Sequence, residues 1–261
     1  MTPRAQASGR PGFADLEAET EYTMNVQRFD TPDAAAEAAK DYAIRVLEEA
    51  LAGHERATFA VSGGSTPKLL FQKLAGSGFH WDRVHLFWVD ERCVPPTDAA
   101  SNYKLTADNL IRPAQIPPSQ VHRIAGEIDP HEAARRYADE IREFFQLKDG
   151  EMPRFDLLHR GMGPDAHTAS LFPGEPLIDD HTNLTAAVYA PQFQQWRVTL
   201  LSGPLAAAKH TLFLVAGQDK AEPLRAVFEE PYNPRKYPSQ IAARDAGTTW
   251  ILDAPAARLI G

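Results

Sequence analysis

Short apolar runs and helical stripes alternate along most of the chain. NVQRF (25–29) reads as a strand, and Ala35, Ala38, Ala39, Tyr42, Val46, Leu47 and Ala50 then recur at helical spacing. They predict a helix over 32–52, with Asp30 or Thr31 near its start and Gly53 at its end. RATFAV (56–61) is short and nearly all apolar, the pattern of a strand covered on both faces. It runs into SGGSTP, and because Pro67 suits a first helical turn, PKLLFQKLA predicts the next helix. A strand with a polar exit is predicted over 84–92 (VHLFWVDER), then helices over 101–110 and 131–145. Further strands are expected at 155–160, 185–189, 198–201, 211–215 and 248–252, with helices near 204–209, 220–228 and after Asp253.

This order predicts an α/β fold: an open, Rossmann-like, mostly parallel sheet with helices on both faces. Polar or glycine-rich segments follow the carboxyl ends of several strands, where ligands collect in such sheets. The 261 residues suffice for a substantial core. Residues 1–21 are expected to be a loose extension, and 22–261 a single domain with room for a smaller subdomain.

A formal charge of −8 argues against general affinity for nucleic acid, so an anionic ligand would need a local cluster of donors. Cys93 is the only cysteine, which excludes an intrachain disulfide and suits a reducing compartment; it reads as a packing residue. The first twenty residues lack the apolar run of a secretory signal, and no stretch reaches 18 consecutive apolar residues. A cytoplasmic location and no membrane partner are the expectations.

Ser62, Gly63, Gly64, Ser65 and Thr66 connect a strand to a helix, and such a loop is either a phosphate cradle or a structural turn. Arg92, Arg197 and Lys220 each stand near a predicted strand end, as surface charges or as parts of one dianion site. Neither GxxxxGK[ST] nor a GxGxxG after the first strand is present, so ATP and nicotinamide cofactors are poor expectations. HExxH and GxSxG are also absent, which disfavours a zinc hydrolase and a serine hydrolase. GMGPDAHTASLFPG (161–174) places Asp165 and His167 after an apolar strand, as a catalytic pair or as polar residues of a glycine turn.

SGGSTP, VDERCVPPTDAASNY, GMGPDAHTASLFPG, RVTLL and AGQDK occur in the order that resembles the 6-phosphogluconolactonase family, over roughly 25–252. The resemblance implies a modified open α/β fold related to sugar-phosphate isomerases, amino-sugar-phosphate deaminases and the CoA-transferase-like fold. It also implies hydrolysis of 6-phospho-D-glucono-1,5-lactone in the oxidative pentose phosphate pathway, without metal or organic cofactor. Phosphate binding then falls to Ser62–Thr66, Arg92, Arg197 and Lys220. His167 becomes the base, accompanied by Asp165, and Asn102 shapes the sugar site.

Such a base takes a proton from water attacking the lactone carbonyl and returns it to the ring oxygen. Backbone N–H groups near Gly163, or at the start of a helix after His167, are the expected oxyanion donors. A hexosamine-6-phosphate deaminase or sugar-phosphate isomerase, and a noncatalytic sugar-phosphate binder, are the alternatives.

Two departures from the family pattern bear on this site. Ala166 stands where the family has glycine, which is harmless at negative φ and strained at positive φ. His159 and Arg160 occupy a segment the family keeps apolar; Arg160 is expected to face solvent at a strand end or to alter the phosphate site. Phe155, Leu157, Leu158, Leu171 and Phe172 are expected as core anchors, with Trp88 and Trp250 in the sheet layers.

Overall fold

The structure is a computed structural model and describes residues 24–261. The extension expected over 1–21 lies outside the described residues. The elements in chain order are β1 (Asn25–Phe29), α1 (Pro32–Gly53), β2 (Ala57–Val61), α2 (Ser65–Ala75), β3 (Val84–Trp88), β4 (Asp90–Arg92), α3 (Asn102–Thr106) and β5 (Val121–His122). They continue with α4 (Pro130–Phe145), β6 (Leu157–Arg160), β7 (Thr185–Ala190), β8 (Gln195–Leu200) and α5 (Ser202–Ala207). The last are β9 (Thr211–Val215), α6 (Ala221–Glu229), β10 (Thr248–Asp253) and α7 (Ala254–Ala257).

Seven strands form a wholly parallel sheet in the order β1-β10-β9-β6-β2-β3-β5. Side chains alternate through it as the pleat requires. On β9 and β10, Leu212, Leu214 and Ile251 join the large core under α1. Phe213, Val215, Trp250 and Leu252 face the other way and pack with Leu224 and Val227 of α6. Trp250 stacks on Phe213 with ring centroids 3.8 Å apart. The apolar strand runs are therefore buried from both faces, as expected from their composition.

The stretch 84–92 holds the expected strand, and its polar exit is a second short strand. β3 ends at Trp88, and β4 belongs to a second, three-stranded antiparallel sheet in the order β4-β8-β7. Val89 joins the two sheets: its N–H donates to Val61 O at 2.9 Å, and its carbonyl accepts from Leu200 N at 2.8 Å. The α4 helix covers this junction, where the Tyr137 hydroxyl donates to Trp88 O and accepts from Trp88 N, both at 2.8 Å.

Boundaries shift in two informative places. The helix expected from Pro67 begins at Ser65, so Ser65 and Thr66 lie in its first turn. The helix expected over 101–110 begins after the Ser101 cap and passes into a π-helical turn over Ala107–Ile111. No helix among the described residues is long and apolar enough to cross a membrane.

Candidate functional site

The carboxyl ends of β2 and β6 lie side by side at the centre of the parallel sheet, and the chain leaves them towards opposite edges. A crevice follows from that reversal. β2 delivers Ser62 to Thr66 into it. Gly64 caps α2 at a φ of 128°, a conformation open to glycine, and no side chain caps the helix. The first N–H groups of α2 are therefore free for an anion. Gly63 is required for another reason: a Cβ there would stand 1.7 Å from Asn102 Oδ1. The Ser62 hydroxyl donates to His159 O at 3.1 Å and so fastens the loop to β6.

Opposite this loop, the antiparallel register places Arg92 of β4 directly against Arg197 of β8. Like charges in such a pair repel, and each needs a reason to stay. Arg92 donates through Nη1 to Ala100 O at 2.9 Å and to Asn102 Oδ1. Arg197 is only 7% exposed and its Nε is buried without a partner. Burial depresses its basicity, the Asp90 charge works against that, and Arg92 adds to the depression. Two neighbouring cations, neither in an ion pair among the described residues, make a strong attraction for a dianion. Lys220 joins the same wall, ion-paired with Asp219 at 2.9 Å.

Beyond β6, the segment 161–167 folds back on itself. The Gly163 N–H donates to His167 O at 2.9 Å, and a Cβ at Gly163 would lie 2.0 Å from His167 Nδ1. Asp165 Oδ1 accepts from the His167 backbone N–H at 3.1 Å and meets the ring at Nδ1, 2.5 Å away. With Nδ1–H given to Asp165, Nε2 is the ring nitrogen left to accept a proton. Burial pushes the Asp165 carboxyl up, but the hydrogen bonds from His167 and the imidazole charge outweigh it and hold it below the usual aspartate range. Two expected oxyanion donors are displaced by this geometry. The Gly163 N–H is already committed to His167, and the segment after His167 makes an isolated bridge between Thr168 and Leu171 in place of a helix.

Ser62 to Thr66, Arg92, Asn102, Gly163, His167, Arg197 and Lys220 all line one cleft of about 230 Å³. Asp165 stands outside the wall, behind the imidazole. Residues not singled out from the sequence hold this arrangement. Buried Glu91 accepts from the N–H groups of Arg92, Asn102 and Tyr103, each at 2.7 Å, and from the Ser101 hydroxyl at 3.0 Å. Desolvation still raises its carboxyl despite these four donors. Asp90 accepts from the Ser170 hydroxyl at 2.7 Å, tying β4 to the histidine segment. The alternation in DER carries a signal for both: Asp90 and Arg92 share one face and Glu91 takes the other.

Arg160 does not face solvent. It is wholly buried, its guanidinium lies 4.5 Å over the Phe213 ring, Nε donates to Thr168 Oγ1 at 3.1 Å and Nη1 donates to Ile241 O at 2.7 Å. Burial pulls its pKa down to about 9. His159, on the other face of β6, is wholly buried with neither ring nitrogen partnered, and desolvation lowers it to about 4. Ala166 adopts the left-handed conformation at a φ of 63°. Cys93 is half-buried, and burial with the charges of Glu91 and Asp129 pushes its thiol up to about 11, which suits packing rather than nucleophilic attack. Among the described residues no three His, Cys, Asp or Glu side chains cluster so as to hold a metal ion.

The chain is similar to several known proteins. A 6-phosphogluconolactonase of Haemophilus influenzae is 38% identical over 206 residues, covering 77% of this chain and 86% of that protein. The crystal structure of a 6-phosphogluconolactonase from Thermotoga maritima superposes with a TM-score of 0.77 at 28% identity, covering 88% of this chain and 99% of the other. A monomeric glucosamine-6-phosphate deaminase shares the fold, with a TM-score of 0.76 at 19% identity over 90% of this chain and 100% of its own. The family described as glucosamine-6-phosphate isomerases/6-phosphogluconolactonase matches residues 30–251. With that match spanning both walls of the cleft, the chain belongs to the glucosamine-6-phosphate isomerase/6-phosphogluconolactonase family.

Proposed function

We propose that the cleft hydrolyses 6-phospho-D-glucono-1,5-lactone to 6-phosphogluconate, the second step of the oxidative pentose phosphate pathway. The observation that carries this reading is the sharing of one cleft by an unneutralised Arg197 beside Arg92 and by an imidazole backed by Asp165. The arginines, the first turn of α2 and Lys220 hold the phosphate. Phosphate binding places the lactone carbonyl towards His167, so that remote affinity serves orientation at the reacting carbon.

His167 Nε2 takes a proton from water as the water oxygen bonds to C1. The tetrahedral intermediate then expels the ring oxygen, and the same nitrogen returns the proton to it. Asp165 keeps Nδ1 protonated and steadies the imidazolium formed between the two steps. The curated relative's name and the lining residues support a hydrolase over a deaminase, whose likeness here extends to the fold alone.

Lactone opening is to be followed against the spontaneous background at neutral pH. His167→Ala is expected to lower kcat by about 10²-fold or more while phosphosugar binding persists. Arg197→Ala is expected to weaken binding of the phosphorylated lactone far more than that of the unphosphorylated one. Unchanged turnover in the first variant, or equal losses for both substrates in the second, would overturn the respective role.

A further inference from the structure

The cation Arg197 is buried beside a second cation, and no ion pair neutralises it among the described residues. Asp90 and Glu91 act on it only as nearby charges, and two aromatic rings lie against the guanidinium. The guanidinium carbon lies 4.7 Å from the ring centroid of Phe193 and 5.6 Å from that of Phe172, and the two rings are 6.0 Å apart. Phe172 also meets the His167 ring, with centroids 4.6 Å apart. One aromatic wall thus runs from the imidazole to the arginine. Phe193 sits at the tip of the turn between β7 and β8, in a short 3-10 segment over Pro191–Phe193 that Gln194 reverses at a φ of 49°. It is 52% exposed, so its outer face meets solvent while its ring lies against the guanidinium.

We propose that Phe193 is a positioning residue that sets the selectivity of the site for phosphorylated over unphosphorylated ligands, an inference that rests on the phosphate role of Arg197 given above. A carboxylate partner would steady Arg197 but would occupy its N–H donors and cancel its charge. The negative face of an aromatic ring attracts the cation and leaves every donor unspent. The turn residue therefore holds the guanidinium ready for the phosphate while covering it from water, where its charge would be screened. Phe193 touches neither the imidazole nor the reacting carbon in this account, so its influence falls on affinity and leaves the chemical step alone.

The test uses three variants of the full chain: Phe193→Leu, which keeps apolar bulk, Phe193→Tyr, which keeps the ring face, and Phe193→Ala. Titration calorimetry with inorganic phosphate and with 6-phosphogluconate measures affinity, and steady-state kinetics on phosphorylated and unphosphorylated lactone measures KM and kcat separately. Leu and Ala are expected to weaken phosphate binding and raise KM for the phosphorylated lactone by about three- to tenfold, with kcat within about twofold of wild type. KM for the unphosphorylated lactone should not move, and Tyr should restore the wild-type values. If Phe193→Leu matches wild type in both readouts, or if kcat falls as KM rises, the inference is overturned. A wild-type protein that binds phosphate without accelerating lactone opening would overturn the proposed function instead, and the phosphate titrations would still decide the role of Phe193.

Discussion

Ala166 holds a φ of 63° one residue before the proposed base, where an L-residue is disfavoured by about 1–2 kcal/mol. Its N–H donates to Gly163 O at 3.1 Å and its carbonyl accepts from Ser239 N at 2.9 Å, so the backbone is held on both sides. Glycine would relieve the strain, yet two terms oppose it. The Ala166 methyl is 1% exposed, packed in the cluster that holds Met162, Phe213 and Trp250, and burying it contributes about 0.8 kcal/mol. Glycine also widens the unfolded ensemble, at about 0.4–1 kcal/mol. Ala166→Gly is therefore expected to change the free energy of unfolding by less than about 1 kcal/mol, measured by urea denaturation. Ala166→Val keeps the apolar character but places a β-branched residue at positive φ, and should destabilise by more than about 2 kcal/mol. A glycine variant stabilised by more than about 2 kcal/mol would show that the methyl packing contributes little.

At the scale of elements, the end of β6 does more than deliver the chain to the site. Arg160 reaches forward to Thr168, and Thr168 Oγ1 donates to Gly161 O at 3.1 Å. It also grips Ile241 O, beside Ser239, whose hydroxyl donates to His167 O at 3.2 Å. The arginine thus ties both segments that clamp the histidine backbone. Removing a buried charge regains desolvation free energy, so the stability of Arg160→Met need not fall far. Its kinetics should separate: kcat for the phosphorylated lactone is expected to drop about tenfold or more while KM stays near wild type, because the phosphate wall belongs to other elements. Equal effects on both parameters would assign Arg160 to general structure.

Periodicity made most of these elements legible, since covered strands and one-sided helices carry strong patterns, and the strand at 211–215 matches residue for residue. The family motifs likewise named most of the cleft wall. What stayed hidden depends on distant partners. β4 has three residues, and only pairing with β8, about a hundred positions onward, makes it a strand and sets Arg92 against Arg197. The burial of Arg160 requires the Phe213 ring and a carbonyl from residue 241, neither of which local pattern announces. Phe193 carries no signal in the local pattern, because its value lies in where the turn sets it down.

For the whole molecule, the central strand of the larger sheet carries a liability in acid. His159 is wholly buried, its ring lies edge-on to Phe71 at 6.4 Å, and neither nitrogen has a partner to stabilise an imidazolium. Its pKa is about 4 in the folded chain against an ordinary 6.5. The unfolded chain therefore binds more protons than the folded one between these values, and stability falls as pH falls through that window. His85 acts in the same direction, lowered by burial and by the nearby charges of His122 and Arg56. Linkage from His159 alone is on the order of 2 kcal/mol between pH 7.5 and pH 5, and the window ends above the range where most carboxylates protonate. Urea midpoints across it should fall steadily for the wild-type chain. His159→Leu fills a similar volume without a titrating ring, and its stability should decline less over the same interval, by an amount of that order. Parallel pH profiles for the two chains would mean that His159 finds a proton-stabilising partner when the fold is acidified, and the buried strand would then contribute nothing to acid unfolding.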